Sequence, residues 1–476
     1  MLVAVTDSLA KFSYINMLAR SIRQISKSLL RQPIFAPLVA AMIVRSLEVV
    51  HEPKTGAGAL SLLIFSRERW DQDIEALARI PDVRLVSLPT GILERINALF
   101  HDPHFSVKAN NYYQVADKDN LRHRHRQVAY LTKVMALVRV WAKLDAAVTC
   151  SFKYVREAPW STACDRAGLP FVALHKEFTV LEPRHLESRI AESQGMGFRF
   201  FGTHLCCVNE NARQLFARAG VFPAEKITKV GLLRVDNLYQ PKAASTGDGQ
   251  RKSVVLFSFG HLTGPFPSHP VRNYYFAKDD NFGFVELFKS VHAGFAELAR
   301  KHPDIDFLIK PKNVEPGWIG EIRAVIESEL GCSLDDIPNC RIVGEPAPDL
   351  MRQSLANIVL NSTTVIESRI AGRNTIIPLF AEAAGRHMDM VYFREFLDLF
   401  AVATSREDMT EKIERAIKGE ILEHGSQARL NQLLERQIGN CEGRSAERLT
   451  RTIRAVVAAS VNTAAIKSRL PEARQA

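Results

Sequence analysis

The sequence predicts an α/β protein: two parallel sheets covered by helices on both faces, facing a cleft, with helical extensions at both ends. Three observations carry this reading. From residue 60 onward, short apolar runs alternate with helical stretches of roughly ten residues, the rhythm of parallel strands and crossover helices. The rhythm breaks at residues 240–252, QPKAASTGDGQRK, where Pro, Gly, Ser and charge replace large apolar groups, and then restarts. At 476 residues the chain is too long for one ordinary core.

Residues 1–55 read as a helical, basic N-terminal extension. The first fifty residues hold six Lys/Arg (Lys11, Arg20, Arg23, Lys27, Arg31, Arg45) and two acids, Asp7 and Glu48. The longest apolar run there, residues 33–44, is too short to span a bilayer, which needs about 20 residues. No small-residue cleavage site suits a signal peptide. A basic amphipathic segment lying on an anionic membrane fits this composition, and so does a helical extension packed on the body.

Residues 56–239 form the first predicted domain. LSLLIF (60–65), VRLVSL (83–88), AAVTCSF (146–152), LPFVALH (169–175), HLCCVN (204–209) and KITKVGL (226–232) read as strands. Residues 70–79, most of 91–143, 159–167 and 210–219 read as helices; the long helical region contains a basic knot, RHRHR, at 122–126. After the linker at 240–252 comes the second domain, 253–404. Its strands are SVVLFSF (253–259), DFLIK (306–310), CRIVG (340–344) and the apolar runs at 356–360 and 375–380; helices fall at 284–302, 316–330 and 349–355. Residues 405–476 read as helical and polar, ending in a disordered tail from about residue 468.

Composition narrows the functional classes. Hydrophobic residues are 46% and charged residues 24%, as in a soluble globular protein. Seven cysteines, an odd number without a CxxC pair, argue against a disulfide framework or a zinc site and suit a reducing cytoplasm. The net charge of +10 favours anionic partners without choosing among them.

Ligands of such sheets bind outside the carboxyl ends of the strands, so polar residues just after predicted strands are the candidates. The segment LNSTTVIESRIAGRNTIIPLF (360–380) reads as strand, hydroxyl-rich helix start, helix, glycine and strand. Ser362, Thr363 and Thr364 stand at a helix N-terminus, whose amides and dipole suit a diphosphate. Glu367 lies one turn on, within reach of ribose hydroxyls. An ordinary Ser/Thr cap with a solvated Glu satisfies the same pattern. The segment SFGHLTGPFPSH (258–269) carries Gly260, which permits close backbone approach, and His261. Lys310 and Lys312 follow DFLIK and can neutralise phosphate as point charges, although solvated lysines are common. In the first domain His175 and Glu177, from His175-Lys176-Glu177, are candidate general bases; an ion pair inside that triplet is the other reading. Asp279-Asp280 falls in a loop and reads as solvated, so no metal site is expected.

The two-domain rhythm, GLLRVD (231–236), LIKPK (308–312) and NSTTVIESRIAG (361–372) resemble the GT-B glycosyltransferase group. Within it they are most similar to bacterial capsule and surface-carbohydrate proteins, including the CDP-glycerol glycerophosphotransferases and UDP-N-acetylglucosamine 2-epimerase relatives. The likeness covers about residues 60–400. It implies two Rossmann-like domains, a nucleotide donor held by the second and an acceptor received by the first. It also implies diphosphate contacts from Ser362, Thr363 and Thr364, and ribose contacts from Glu367. This chain departs from the pattern in having Lys310-Pro311-Lys312 where the group often has His-Pro after the lysine, and Ser362-Thr363 where it has a glycine pair.

The leading expectation is a glycosyltransferase that moves a sugar or polyol phosphate from a nucleotide-activated donor to a surface polysaccharide or lipid-linked acceptor. It needs no cofactor beyond a nucleotide-sugar or CDP-alcohol co-substrate. It is expected in the cytoplasm, held peripherally at the inner face of the cytoplasmic membrane if the basic N-terminus binds lipid. The alternatives are a nucleotide-sugar epimerase or hydrolase on the same fold, and a non-catalytic basic polyanion-binding protein. No nucleic-acid partner is expected, since no RNP-like, zinc-finger or helix-turn-helix pattern accompanies the basic segments.

Overall fold

The structure is a computed structural model that describes residues 29–54, 58–100, 118–177, 185–239, 251–264, 282–312, 315–422 and 425–469. The linker expectation at 240–250, the acidic pair Asp279-Asp280, residues 265–269 of the glycine-containing turn and the tail from residue 470 lie outside them. The chain divides into two compact units. One comprises residues 1–234, 438–440 and 444–476; the other comprises 235–437 and 441–443.

The first unit holds seven strands: β1 (Glu48–His51), β2 (Leu60–Ile64), β3 (Val83–Ser87), β4 (Ala146–Thr149), β5 (Phe171–His175), β6 (His204–Cys207) and β7 (Ile227–Lys229). Its helices are α1 (Ala36–Ser46), α2 (Asp71–Leu77), α3 (Thr90–Asn97), α4 (Lys118–Trp141), α5 (Ala158–Arg166), α6 (Leu186–Gly195) and α7 (Glu210–Arg218). The strand order is β1-β3-β2-β4-β5-β6-β7. All pairings are parallel except β1 with β3. β1 corrects the expectation of an all-helical extension over residues 1–55. Its four residues gain their ladder only from β3, a partner more than thirty residues away in sequence.

The parallel strands are buried on both faces, which is why they read as unbroken apolar runs. Alternate residues serve opposite layers, as the two-residue strand period requires. Leu60, Leu62, Ile64, Val172 and Leu174 enter one core, while Leu63, Phe65, Phe171 and Ala173 enter the other.

The second unit holds β8 (Ser253–Phe257), β9 (Asp306–Lys310), β10 (Cys340–Ile342), β11 (Ser354–Val359), β12 (Asn374–Pro378) and β13 (Ala401–Ala403). Its helices are α8 (Asp236–Tyr239), α9 (Val285–Lys301), α10 (Pro316–Leu330), α11 (Ala347–Gln353), α12 (Thr364–Ile370), α13 (Arg406–Ile417) and α14 (Gln427–Ile438). The order is β10-β9-β8-β11-β12-β13, and every pairing is parallel. Relabelled by chain order this is 3-2-1-4-5-6, the doubly wound Rossmann arrangement. The last helix, α15 (Ser445–Arg469), belongs to the first unit, where Ala446, Leu449 and Ile453 join the core that contains α2.

Candidate functional site

In the second unit the chain starts at the central strand β8, winds outward through β9 and β10, then crosses back to β11 on the other side of β8. The connections leaving β8 and β11 therefore run in opposite directions and open a crevice at the carboxyl edge, the place where open α/β sheets bind ligands. The sequence candidates of this unit all stand on that edge. Gly260 and His261 follow β8, Lys310 ends β9 with Lys312 just beyond it, and Ser362, Thr363, Thr364 and Glu367 lie at the start of α12. Phe257 pairs with Lys310 on one side and Val359 on the other, so the lysine and the hydroxyl turn flank the β8 end. At about 4.8 Å per strand, two strand steps separate them by roughly 10 Å.

One residue absent from the sequence candidates organises this edge. Asn361 sits at φ 47°, in the left-handed region, two residues past the end of β11. Its Nδ2 donates to the carbonyls of Thr263 at 3.0 Å and Met390 at 2.9 Å, and its Oδ1 accepts from the Tyr392 amide at 2.8 Å. It thus ties the turn after β8, the turn after β11 and the segment after β12. The signal for it was an Asn at the end of an apolar run, since Asn tolerates positive φ better than most residues.

The hydroxyls of the turn bond locally. Ser362 Oγ lies 2.9 Å from Thr364 Oγ1 and accepts from the Thr364 amide at 3.2 Å, while Thr363 Oγ1 donates to Glu367 Oε1 at 3.0 Å. Glu367 is buried and stands behind Thr363 rather than on the surface of the crevice. Burial lowers the Lys310 ammonium pKa, against the opposing pull of Glu345, and its Nζ donates to the Pro311 carbonyl at 3.2 Å. Lys312 is exposed. His261 is fully buried, and its carbonyl accepts from the Phe284 amide at 2.7 Å.

The helix that follows β8 in the chain is already supplied with an anion. The Glu382 carboxylate accepts from the Glu286 amide at 2.8 Å and the Leu287 amide at 2.9 Å, capping α9 from nearly a hundred residues away. The first-turn amides that would meet a phosphate in a dinucleotide fold are engaged by protein. The first-turn amides of α12 have acceptors within their own turn: the Thr364 amide donates to Ser362 Oγ at 3.2 Å, that of Val365 to the Ser362 carbonyl at 3.1 Å, and those of Ile366 and Glu367 to the Thr363 carbonyl at 3.0 Å.

In the first unit, His175 ends β5 fully buried, with Nδ1 3.2 Å from Ser151 Oγ and its ring against Phe152 and Phe216. Burial holds its imidazole well below the usual range, with the nearby Lys153 charge adding to the effect. Glu177, two residues on, is exposed. Lys176 pairs with Asp73 at 3.7 Å and donates to the Arg69 carbonyl, so no ion pair forms inside the His175-Lys176-Glu177 triplet. The RHRHR knot lies on the first turns of α4, mostly exposed. Among the described residues, no three His, Cys, Asp or Glu side chains gather as a metal-ligand set. Among them also, no helix is long and apolar enough to cross a membrane.

This sheet has its own switch, between β2 and β4, and a buried carboxylate stands there. Glu157 accepts from Ser66 Oγ at the end of β2 and Thr149 Oγ1 at the end of β4. Arg156 Nη2 donates to Ser66 Oγ at 2.9 Å and to Glu68 at 2.8 Å. Burial pushes the Glu157 carboxyl from 4.5 up to about 7, outweighing the hydroxyl bonds and Arg156. Between those two values the folded state binds more protons than the unfolded one. The stability this group confers is therefore full below about pH 4.5 and is lost as pH rises to about 7. Glu157→Gln should remove that fall, on the order of 3 kcal/mol. Urea midpoints at about pH 5 and about pH 8 measure it: wild type should lose more stability across the interval than the variant. Equal losses would rule out the buried carboxyl as the titrating group.

No protein-family model matches the chain, and no curated protein matches it. Solved structures similar to it include a UDP-GlcNAc 2-epimerase from Methanocaldococcus jannaschii, at 13% identity, covering 83% of this chain and 99% of that one, TM-score 0.45. A glycosyltransferase from Rickettsia africae is 10% identical over 84% of this chain and 99% of its own, TM-score 0.44. HepE from Anabaena, solved in complex with UDP-glucose, is 15% identical over 85% of this chain and 100% of its own, TM-score 0.41. Similarity of this degree assigns no residue a role.

Proposed function

We propose that the second unit binds the diphosphate of a nucleotide-activated donor at the β8/β11 edge, and that the protein transfers a sugar or polyol phosphate from it to a glycan or lipid-linked acceptor. The observation that carries this reading is the doubly wound sheet whose switch-point turns are tied by Asn361, across the β8 end from the partly desolvated Lys310. The Lys310 ammonium, with Lys312 nearer solvent, neutralises phosphate charge. The Ser362–Thr364 hydroxyl pair retains one O–H that can donate to a phosphate oxygen, and Glu367, which accepts from Thr363, holds the turn. Gly260 leaves room for the nucleotide beside β8.

In the transfer step the acceptor hydroxyl oxygen bonds to the donor's reacting atom and its proton passes to a general base. The bond to the leaving phosphate oxygen breaks, and the nucleotide departs with the electron pair. Lys310 takes up that charge, which is electrostatic stabilisation of the transition state. His175, enclosed and neutral, orients Ser151. The fully buried His261 holds the turn after β8 through its carbonyl.

Titration with CDP, UDP, GDP and dTDP tests the site. Lys310→Ala and Ser362→Ala should each weaken the preferred nucleotide by about ten- to a hundred-fold, the worth of one charge-assisted contact. Unchanged affinity for all four would remove this assignment. Turnover of the matching donor then separates the chemistries. Product that appears only with acceptor present supports transfer, whereas product from donor alone identifies an epimerase or hydrolase. A polyanion-binding protein would instead show steep salt dependence and no base preference.

A further inference from the structure

We propose that the outward face of α1 is a docking surface for an anionic lipid bilayer. From Ala36 to Val44 the helix is apolar all round. Val39, Ala40 and Ile43 enter the core of the first unit. Ile34, in the turn just before the helix, is 81% exposed, and Leu38 and Met42, each four residues further on, are 51% and 55% exposed. A helix hydrophobic on every side normally has protein around it. This one covers the body with one face and presents a second apolar row to its surroundings, the shape of a segment that lies in an interface.

Charge selects the occupant. No Asp or Glu occurs from residue 29 to residue 47. Arg31 and Arg45 bracket the row, both are exposed, and neither pairs with an acid among the described residues. The preceding sequence adds Lys11, Arg20, Arg23 and Lys27 against the single acid Asp7. At the C-terminal end of the helix, Val44, Leu47, Val49 and Trp141 line a groove of about 670 Å³ that also contains Arg84 and Lys143. Its one carboxylate, Glu52, is paired with Arg84 at 3.4 Å. A half-exposed Trp beside cations is the side chain that settles at headgroup depth. An apolar row that wants hydrocarbon, framed by unpaired cations that want phosphate, matches an anionic membrane surface. A second copy of this chain would bring the same positive charge against itself.

The test is co-sedimentation of the full chain with vesicles of phosphatidylcholine and phosphatidylglycerol at about a 3:1 ratio, and with phosphatidylcholine alone. Binding should require the anionic lipid and weaken with added salt. The double variant Leu38→Asp/Met42→Asp should bind at least about tenfold more weakly, and Arg31→Gln/Arg45→Gln about tenfold more weakly. All four positions are exposed, so both variants should melt with wild type, which separates lost docking from lost fold. Wild-type vesicle binding by the Leu38/Met42 variant would overturn the proposal. So would loss of binding only in a variant with Lys11, Arg20, Arg23 and Lys27 all changed to Gln. A solution dimer that the Leu38/Met42 variant alone abolishes would identify a second copy as the occupant and overturn it too.

Discussion

Asn361→Leu should destabilise the second unit by about 4 kcal/mol or more and abolish nucleotide binding. The leucine deletes three hydrogen bonds at once and leaves two carbonyls and one amide without their partner, at roughly 1–3 kcal/mol for each unsatisfied group. It also places a branched side chain at φ 47°, adding about 1 kcal/mol. Asn361→Gly separates the two causes, because glycine accepts the backbone angle but restores no bond. It should recover only about 1 kcal/mol of the loss. The measurement is urea unfolding, followed through the transition that nucleoside diphosphate shifts upward in wild type. If Asn361→Leu unfolds within about 1 kcal/mol of wild type, the residue is not what holds these turns together.

Leu449→Ala combined with Ile453→Ala should destabilise the first unit by about 4–8 kcal/mol. Each removes a buried aliphatic side chain, at about 2–5 kcal/mol apiece, and the two share neighbours, so the sum is not strictly additive. Ala446, Leu449 and Ile453 fall at the three- and four-residue spacing of one helical stripe and pack among Leu62, Ile64, Leu77 and Val148. Gly231 shows how closely the returning chain is fitted. At φ +92°, a Cβ there would meet Ser445 and lie 2.8 Å from the Gly439 carbonyl. Arg454→Ala is the control: its exposed pair with Asp82 at 2.6 Å is worth under about 1 kcal/mol. Thermal melting of the double variant near the wild-type temperature would show α15 to be dispensable to this core.

Much of the fold was legible along the chain. DFLIK is β9 to the residue, residues 316–330 are α10, and the strands of both sheets start or end within a few positions of their apolar runs. The cause is burial on both faces, which writes each parallel strand as an unbroken hydrophobic segment. β1 and β13, three or four residues each at a sheet edge, escaped notice. The position of the α12 turn on the carboxyl edge was legible too, since it depends only on strand, turn and helix following one another.

The roles of single side chains were less legible. His175 and His261 looked like surface candidates after strands and are fully enclosed. Glu367 looked solvent-facing and stands behind Thr363. Asn361 lay inside the most informative segment, yet its two carbonyl partners are 98 and 29 residues away.

By itself the sequence determined the two parallel sheets and the edge on which each candidate stands, because strand burial and turn chemistry act over a few neighbouring residues. Only the tertiary structure decided that Glu382 caps α9, which polar groups are taken out of water, and that α15 completes the core of the first unit. Those outcomes depend on contacts between distant segments, and desolvation and capping are set by whatever arrives there in space.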